Sequence, residues 1–99
     1  MIVLTVPSVT FYSENDERSF FEWLGRMPCV QETRGMGTDI LITLQSRVIP
    51  DQCLKELIAI FCRYELKAKE LANFLTTENS PWFKHPTAYW HEAVFGNND

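Results

Sequence analysis

The sequence predicts a small α+β domain: a three-stranded sheet covered by helices as a single layer pair, in the order βαββααα, over residues 1–99. Three observations carry this reading. β-Branched residues crowd two short segments, Ile2–Val6 and Ile40–Leu44. Apolar residues recur at helical spacing in Phe20–Met27 and Leu54–Phe61. Pro, Gly and Ser–Asn clusters separate these segments, and at 99 residues the chain has room for one core rather than two.

The first strand, Ile2–Val6, meets Pro7, which cannot donate a ladder hydrogen bond and so implies an edge, a bulge or a strand end. Extended structure is expected to resume at Val9–Tyr12. Ser13 then offers a side-chain oxygen to the amide three residues on. Glu14, Asp16 and Glu17 suit the positive end of the helix that follows. Phe20, Phe21, Trp23, Leu24 and Met27 form its apolar stripe, Gly25 weakens the last turn and Pro28 stops it. Cys29–Arg34 reads as extended, Gly35-Met36-Gly37 as a hairpin loop with positive φ, and Ile40–Leu44 as a central strand.

Asp51 is expected to cap the second helix, whose stripe of Leu54, Leu57, Ile58 and Phe61 is widened by Cys53, Ile60 and Tyr64. A third helix is expected over Lys67–Leu75, with Ala68, Leu71, Ala72 and Leu75 inward. Ser80-Pro81 starts another turn, and a last helix is expected over Thr87–Phe95, closed by Gly96, with residues 96–99 frayed. If the third strand lies between the other two, the first and second strands run parallel and each neighbouring pair antiparallel; the strand order itself is left open by the sequence. Helices then cover one face, and the C-terminal segment is a candidate to wrap the other.

Composition narrows the function classes. The net charge is −4, with six acids to four bases through Pro50 and seven to five beyond it. No segment gathers Lys and Arg, so the attraction a nucleic-acid partner needs is missing. No apolar run approaches the ~18 residues of a membrane helix, and the apolar start lacks a basic region and is broken by Pro7, so neither membrane nor secretion is expected. A cytoplasmic protein with its three thiols, Cys29, Cys53 and Cys62, reduced is the expectation.

No catalytic, metal or cofactor site is expected. Gly35-Met36-Gly37 lies between strands, whereas a phosphate-binding loop must lead into a helix. Cys53 and Cys62 are nine residues apart and face opposite sides of a helix; His85 and His91 lack the i, i+4 spacing of a shared helical face. Cys53, one turn into its helix, reads as a small buried residue rather than a nucleophile. One cluster stands out: Trp82, Phe83, Tyr89, Trp90 and Phe95 fall within fourteen residues, interleaved with Lys84, His85, His91 and Glu92. Such rings complete a core or form a recognition surface; the core is the favoured reading, with one or two rings left exposed.

Phe20-Phe21-Glu22-Trp23-Leu24, Leu54–Tyr64, Trp82-Phe83 and Tyr89-Trp90 through Val94-Phe95-Gly96 together resemble a group of short uncharacterised bacterial proteins. The resemblance spans nearly the whole chain and transfers no functional residue. In size and acidity the chain is also similar to bacterial immunity proteins, small inhibitors of toxins. The expected function is therefore an acidic protein-binding module that masks a basic partner, such as a toxin. Its contact residues are expected to be Glu14, Asp16, Glu17, Trp82, His85, Tyr89, His91 and Glu92. Two alternatives stand beside it: a small-ligand or minor enzymatic pocket under the C-terminal helices with His85 or His91 as base, and a homodimer packed through the C-terminal aromatics.

Overall fold

A computed structural model describes residues 1–96 and shows the α+β architecture. Three strands, β1 (Ile2–Pro7), β2 (Val30–Met36) and β3 (Asp39–Leu44), form one sheet in the order β1-β3-β2. β3 is central and antiparallel to both neighbours, so β1 and β2 run parallel to each other at the two edges. Register follows the buried face: Leu4 opposes Ile42 and Val6 opposes Ile40, and all four are buried. A one-residue slip would turn this set to solvent, so the apolar pattern fixes the pairing.

The hairpin turn differs from the expected one. Gly35 and Met36 belong to β2, and the loop is Gly37-Thr38, with only Gly37 at positive φ (64°). A two-residue loop lets the ladder run to the Met36–Asp39 pair, which gains strand pairing that a longer loop forgoes. The extended segment expected at Val9–Tyr12 does not form; instead Ser8 turns the chain at φ 50° and Phe11 packs its ring 5.3 Å from that of Phe20.

Helix α1 (Glu14–Gly25) begins as its residues dictate. Ser13 is extended and its Oγ accepts from the Asp16 amide at 3.1 Å. Phe20 and Leu24 are buried against the sheet. Helix α2 (Asp51–Arg63) starts one residue earlier than expected, with Pro50 rather than Asp51 at the cap, so the Asp51 carboxylate stands in the first turn. It buries Cys53, Leu54, Leu57, Ile58, Ile60 and Phe61, a stripe wide enough to be covered on two sides. α1 and α2 lie antiparallel. The Trp23 indole donates to Glu56 Oε1 at 2.8 Å near one end, and at the other the Phe20 and Tyr64 rings meet at 4.9 Å.

The C-terminal region departs most from expectation. Lys69–Phe74 is a 3-10 helix rather than a longer α-helix over Lys67–Leu75. Its tighter period of three residues per turn places Leu71 and Phe74 on one buried face, leaving Ala72 and Leu75 half-buried. Ser80–Phe83 is a single turn, α3, with Pro81 in it, and the last helix, α4, is only His91–Phe95. Between them Trp90 donates its indole N–H to the Phe83 carbonyl at 2.7 Å, which ties the aromatic segment back on itself in place of a longer helix. α4 packs on the 3-10 helix rather than wrapping the second face of the sheet, where Val3 and Thr5 are exposed. Gly96, expected to fray, is held by its N–H to Glu92 O (2.9 Å) and its carbonyl to Lys69 Nζ. The other residues expected to fray, 97–99, lie outside the described residues.

The cysteines carry a further correction. Cys29 and Cys53, expected as free thiols, form a disulfide, with their Cα atoms 6.4 Å apart, and Cys62 remains free. Spacing along the chain gave no sign of this. Cys29 follows α1 and Cys53 opens α2, and only the packing of these two elements brings them together.

Candidate protein-binding surface

The acids of α1 split by role. Glu14 and Glu17 are exposed, whereas Asp16 is half-buried and committed to structure. Asp16 Oδ2 accepts from the Tyr12 amide at 2.9 Å and its backbone carbonyl receives the Tyr64 hydroxyl at 3.4 Å. Burial, together with the negative charge of Asp16, holds the Tyr64 phenol above its ordinary ionisation range.

The C-terminal aromatics form a chain of ring contacts: Tyr89 on Trp90 (4.9 Å), Trp90 on Trp82 (6.1 Å) and Phe83 on Phe95 (4.9 Å) meet edge-on, and Trp82 on Phe83 (5.6 Å) is tilted. Phe83 is fully buried and joins the core; Tyr89, at 69% exposed, stands out of it. Trp82 is half-buried over the N-terminal half of α2, donating to Asp51 Oδ2 at 3.3 Å with Lys55 Nζ 5.1 Å from its ring. The segment is therefore core at one ring and surface at another, with Trp82 and Trp90 between.

The histidines have local roles. His85 is exposed, and its Nδ1 accepts from the Thr87 amide at 3.2 Å, which leaves the ring proton of the neutral form on Nε2. His91 is half-buried, 5.7 Å from Phe95, and its Nδ1 has no partner among the described residues. Among the described residues there is no group of three or more His, Cys, Asp or Glu placed to hold a metal ion.

Two depressions meet at the C-terminal end of α2. The larger, about 530 Å³, runs between the β1–α1 connection and the turn after α2, lined by Ser8, Tyr12, Asp16, Arg63, Tyr64 and Glu65 among others. The second, about 450 Å³ and shallower, is lined by Trp23, Ala59, Cys62, Arg63 and Tyr89. The exposed Arg63 lines both, with Tyr12, at 90% exposed, on the larger depression and Tyr89 on the second. Ser8 (φ 50°) and Glu65 (φ 55°) are the non-glycine residues at positive φ among those described, and both line the larger groove. A non-glycine residue pays about 1–2 kcal/mol to sit there, and such strain persists only where surrounding structure imposes it.

Of the expected contact residues, Asp16 lines the larger depression, Tyr89 lines the second and Trp82 lies along the other half of α2. His85 and His91 line neither depression, nor do they line the grooves beside the hairpin or the disulfide. Tyr12, Arg63 and Tyr64 were not singled out as contacts by the sequence. Tyr12 precedes the Ser13 cap and so could have been placed outside the helix, but nothing local brings Arg63 to it. Compared with known proteins, the chain matches no family model, no curated protein and no solved structure.

Proposed function

We propose that this protein is a binding module rather than an enzyme, an acidic immunity-type inhibitor that covers a basic site on a protein partner. The observation that carries the reading is the pair of outward-facing rings, Tyr12 and Tyr89, one on each of the two depressions that share Arg63. Exposed tyrosines bury large area at low entropic cost and are over-represented at binding hot spots. Glu65 and Asp16 line the larger groove alongside Arg63 and Lys67, Glu14 and Glu17 are exposed on the first turn of α1, and the net charge of −4 favours encounter with a cationic surface. Burial raises the Cys62 thiol above its ordinary range, which disfavours the thiolate a nucleophile requires.

Capture from the native lysate with tagged wild type and a Tyr12→Ala/Tyr89→Ala variant tests the reading. One stoichiometric basic protein, retained at low salt, released at high salt and lost in the variant, is the expected result. Equal retention by both proteins, or no partner at either salt, would overturn it. Residence in the cytoplasm is part of the proposal. Fractionation of native cells should recover the protein with the cytoplasmic proteins; recovery from another compartment would overturn that part of the proposal.

A further inference from the structure

We propose that the free edge of β2 pairs with β2 of a second copy, joining two sheets into one through a two-fold axis at Thr33. The backbone geometry decides which groups face outward. Ser8 donates to Thr38 O at 3.0 Å, which continues the β1–β3 ladder and makes its hydrogen-bonded positions the even residues of both strands. The odd residues of β3 therefore turn toward β2, where Asp39 opposes Met36 and Leu41 opposes Arg34. On β2 the even residues bond inward to β3, and Thr33 and Gly35 present their N–H and C=O groups to the open side.

The two edges of the sheet are treated differently. On β1 the outward positions are Val3, Thr5 and Pro7; Pro7 has no N–H, and the Thr5 N–H is taken by Glu70 Oε1 at 3.0 Å. β2 carries no Pro or Lys, and among the described residues no side chain bonds to the amide of Thr33 or Gly35. The edge that is left open is also self-complementary in charge. With Thr33 opposite Thr33 of the second copy, Glu32 faces Arg34 of that copy and Arg34 faces its Glu32. Both pairs fall at non-hydrogen-bonded positions, where side chains lie closest. Both residues are exposed and project from the sheet face away from the helices, as do Leu41 and Thr43 opposite them. A shift by one position would set Arg34 against Arg34, so charge selects the register. The irregularity between Val30 and Glu32 ends the pairing on one side and the Gly37-Thr38 turn on the other, which keeps the interface short and reversible.

Sedimentation equilibrium up to about 1 mM protein tests this, because a short interface is expected to associate in the weak range. Wild type should show a monomer–dimer equilibrium. Glu32→Arg alone and Arg34→Glu alone should each weaken self-association by about tenfold or more, since like charges then oppose twice. Mixed in equal amounts, the two variants should restore the dimer as a heterodimer, an outcome that loss of folding could not produce. Thr33→Pro removes an outward N–H without touching the β2–β3 ladder and should give a monomer with unchanged circular dichroism. A monomeric wild type at the highest concentration, or single variants that associate as wild type does, would overturn the proposal. Neither result bears on Tyr12 and Tyr89, whose partner is read out separately.

Discussion

The first half of the chain and its last third contribute buried side chains to one core by different means. From Ile2 to Leu44, strands and one long helix place alternating or helically spaced side chains inward, and backbone ladders satisfy the polar groups. From Lys69 to Phe95 no element is longer than six residues, and isolated backbone turns are joined by individual side-chain hydrogen bonds and ring contacts. Asn79, the buried polar residue, shows how. Its Nδ2 donates to Phe74 O (2.8 Å), its Oδ1 accepts from the Thr76 amide (2.8 Å), and its own amide donates to Thr76 Oγ1 (3.1 Å). Short helices leave most of their terminal amides and carbonyls without intrahelical partners, so a residue such as Asn79 supplies them. Regular structure is thus one route to a satisfied interior, and a network of specific side-chain contacts is another.

The largest expected effect sharpens this contrast. Phe20 and Phe83 are both fully buried, one on a twelve-residue helix and the other on a four-residue turn. Phe20→Ala and Phe83→Ala should each cost about 3–5 kcal/mol in urea unfolding, because the cavity, not the length of the parent helix, sets the penalty. A much smaller loss for Phe83→Ala would show the last third to be only loosely joined to the core.

Reduction of the Cys29–Cys53 bridge, which spans 24 residues, should lower stability by about 3 kcal/mol through the added freedom of the unfolded chain. Unfolding with and without reductant measures it, with Cys29→Ala/Cys53→Ala as the check. The bridge lies between α1–β2 and α2, so the fluorescence of Trp23 should respond more than that of Trp90 at the far end of the chain.

Asn79→Ala should cost about 2 kcal/mol, since it strands the Phe74 carbonyl and Thr76 amide in the interior, against about 1 kcal/mol for Ser13→Ala at a solvated helix start. An equal cost at the two sites would remove the distinction between buried and exposed capping.

The smallest effect is alkaline. Tyr64 is held protonated above the ordinary tyrosine value of about 10, first by burial and then by Asp16. The unfolded chain ionises first, so this contribution is complete below about pH 10 and is lost as pH rises through the folded value. Tyr64→Phe should flatten that part of the pH–stability curve, measured by urea midpoints on both sides of it.

How far the sequence could be read follows the same division. Ser13 at the start of α1, the Ile40–Ile42–Leu44 face and the wide stripe of α2 were legible because each depends on near neighbours or on a short period, whereas the strand order depends on pairing across the chain. The 3-10 geometry of Lys69–Phe74 and the brevity of α4 were not, because the Trp90–Phe83 and Lys69–Gly96 contacts that hold these segments cross elements. Asp16 and Tyr89 were picked out as contacts, yet the depressions they line share Arg63, which the chain supplies from a third element.

By itself, then, the sequence determined the α+β class, the order of the first five elements and the acidic balance, through local periodicity, capping and composition. Only the tertiary structure decided that Cys29 meets Cys53, that Phe83 is core while Tyr89 is surface, and that Glu70 closes one sheet edge while the other stays open. These outcomes join residues as far as 65 positions apart. No local propensity encodes such meetings; they follow from the way the helices settle on the sheet.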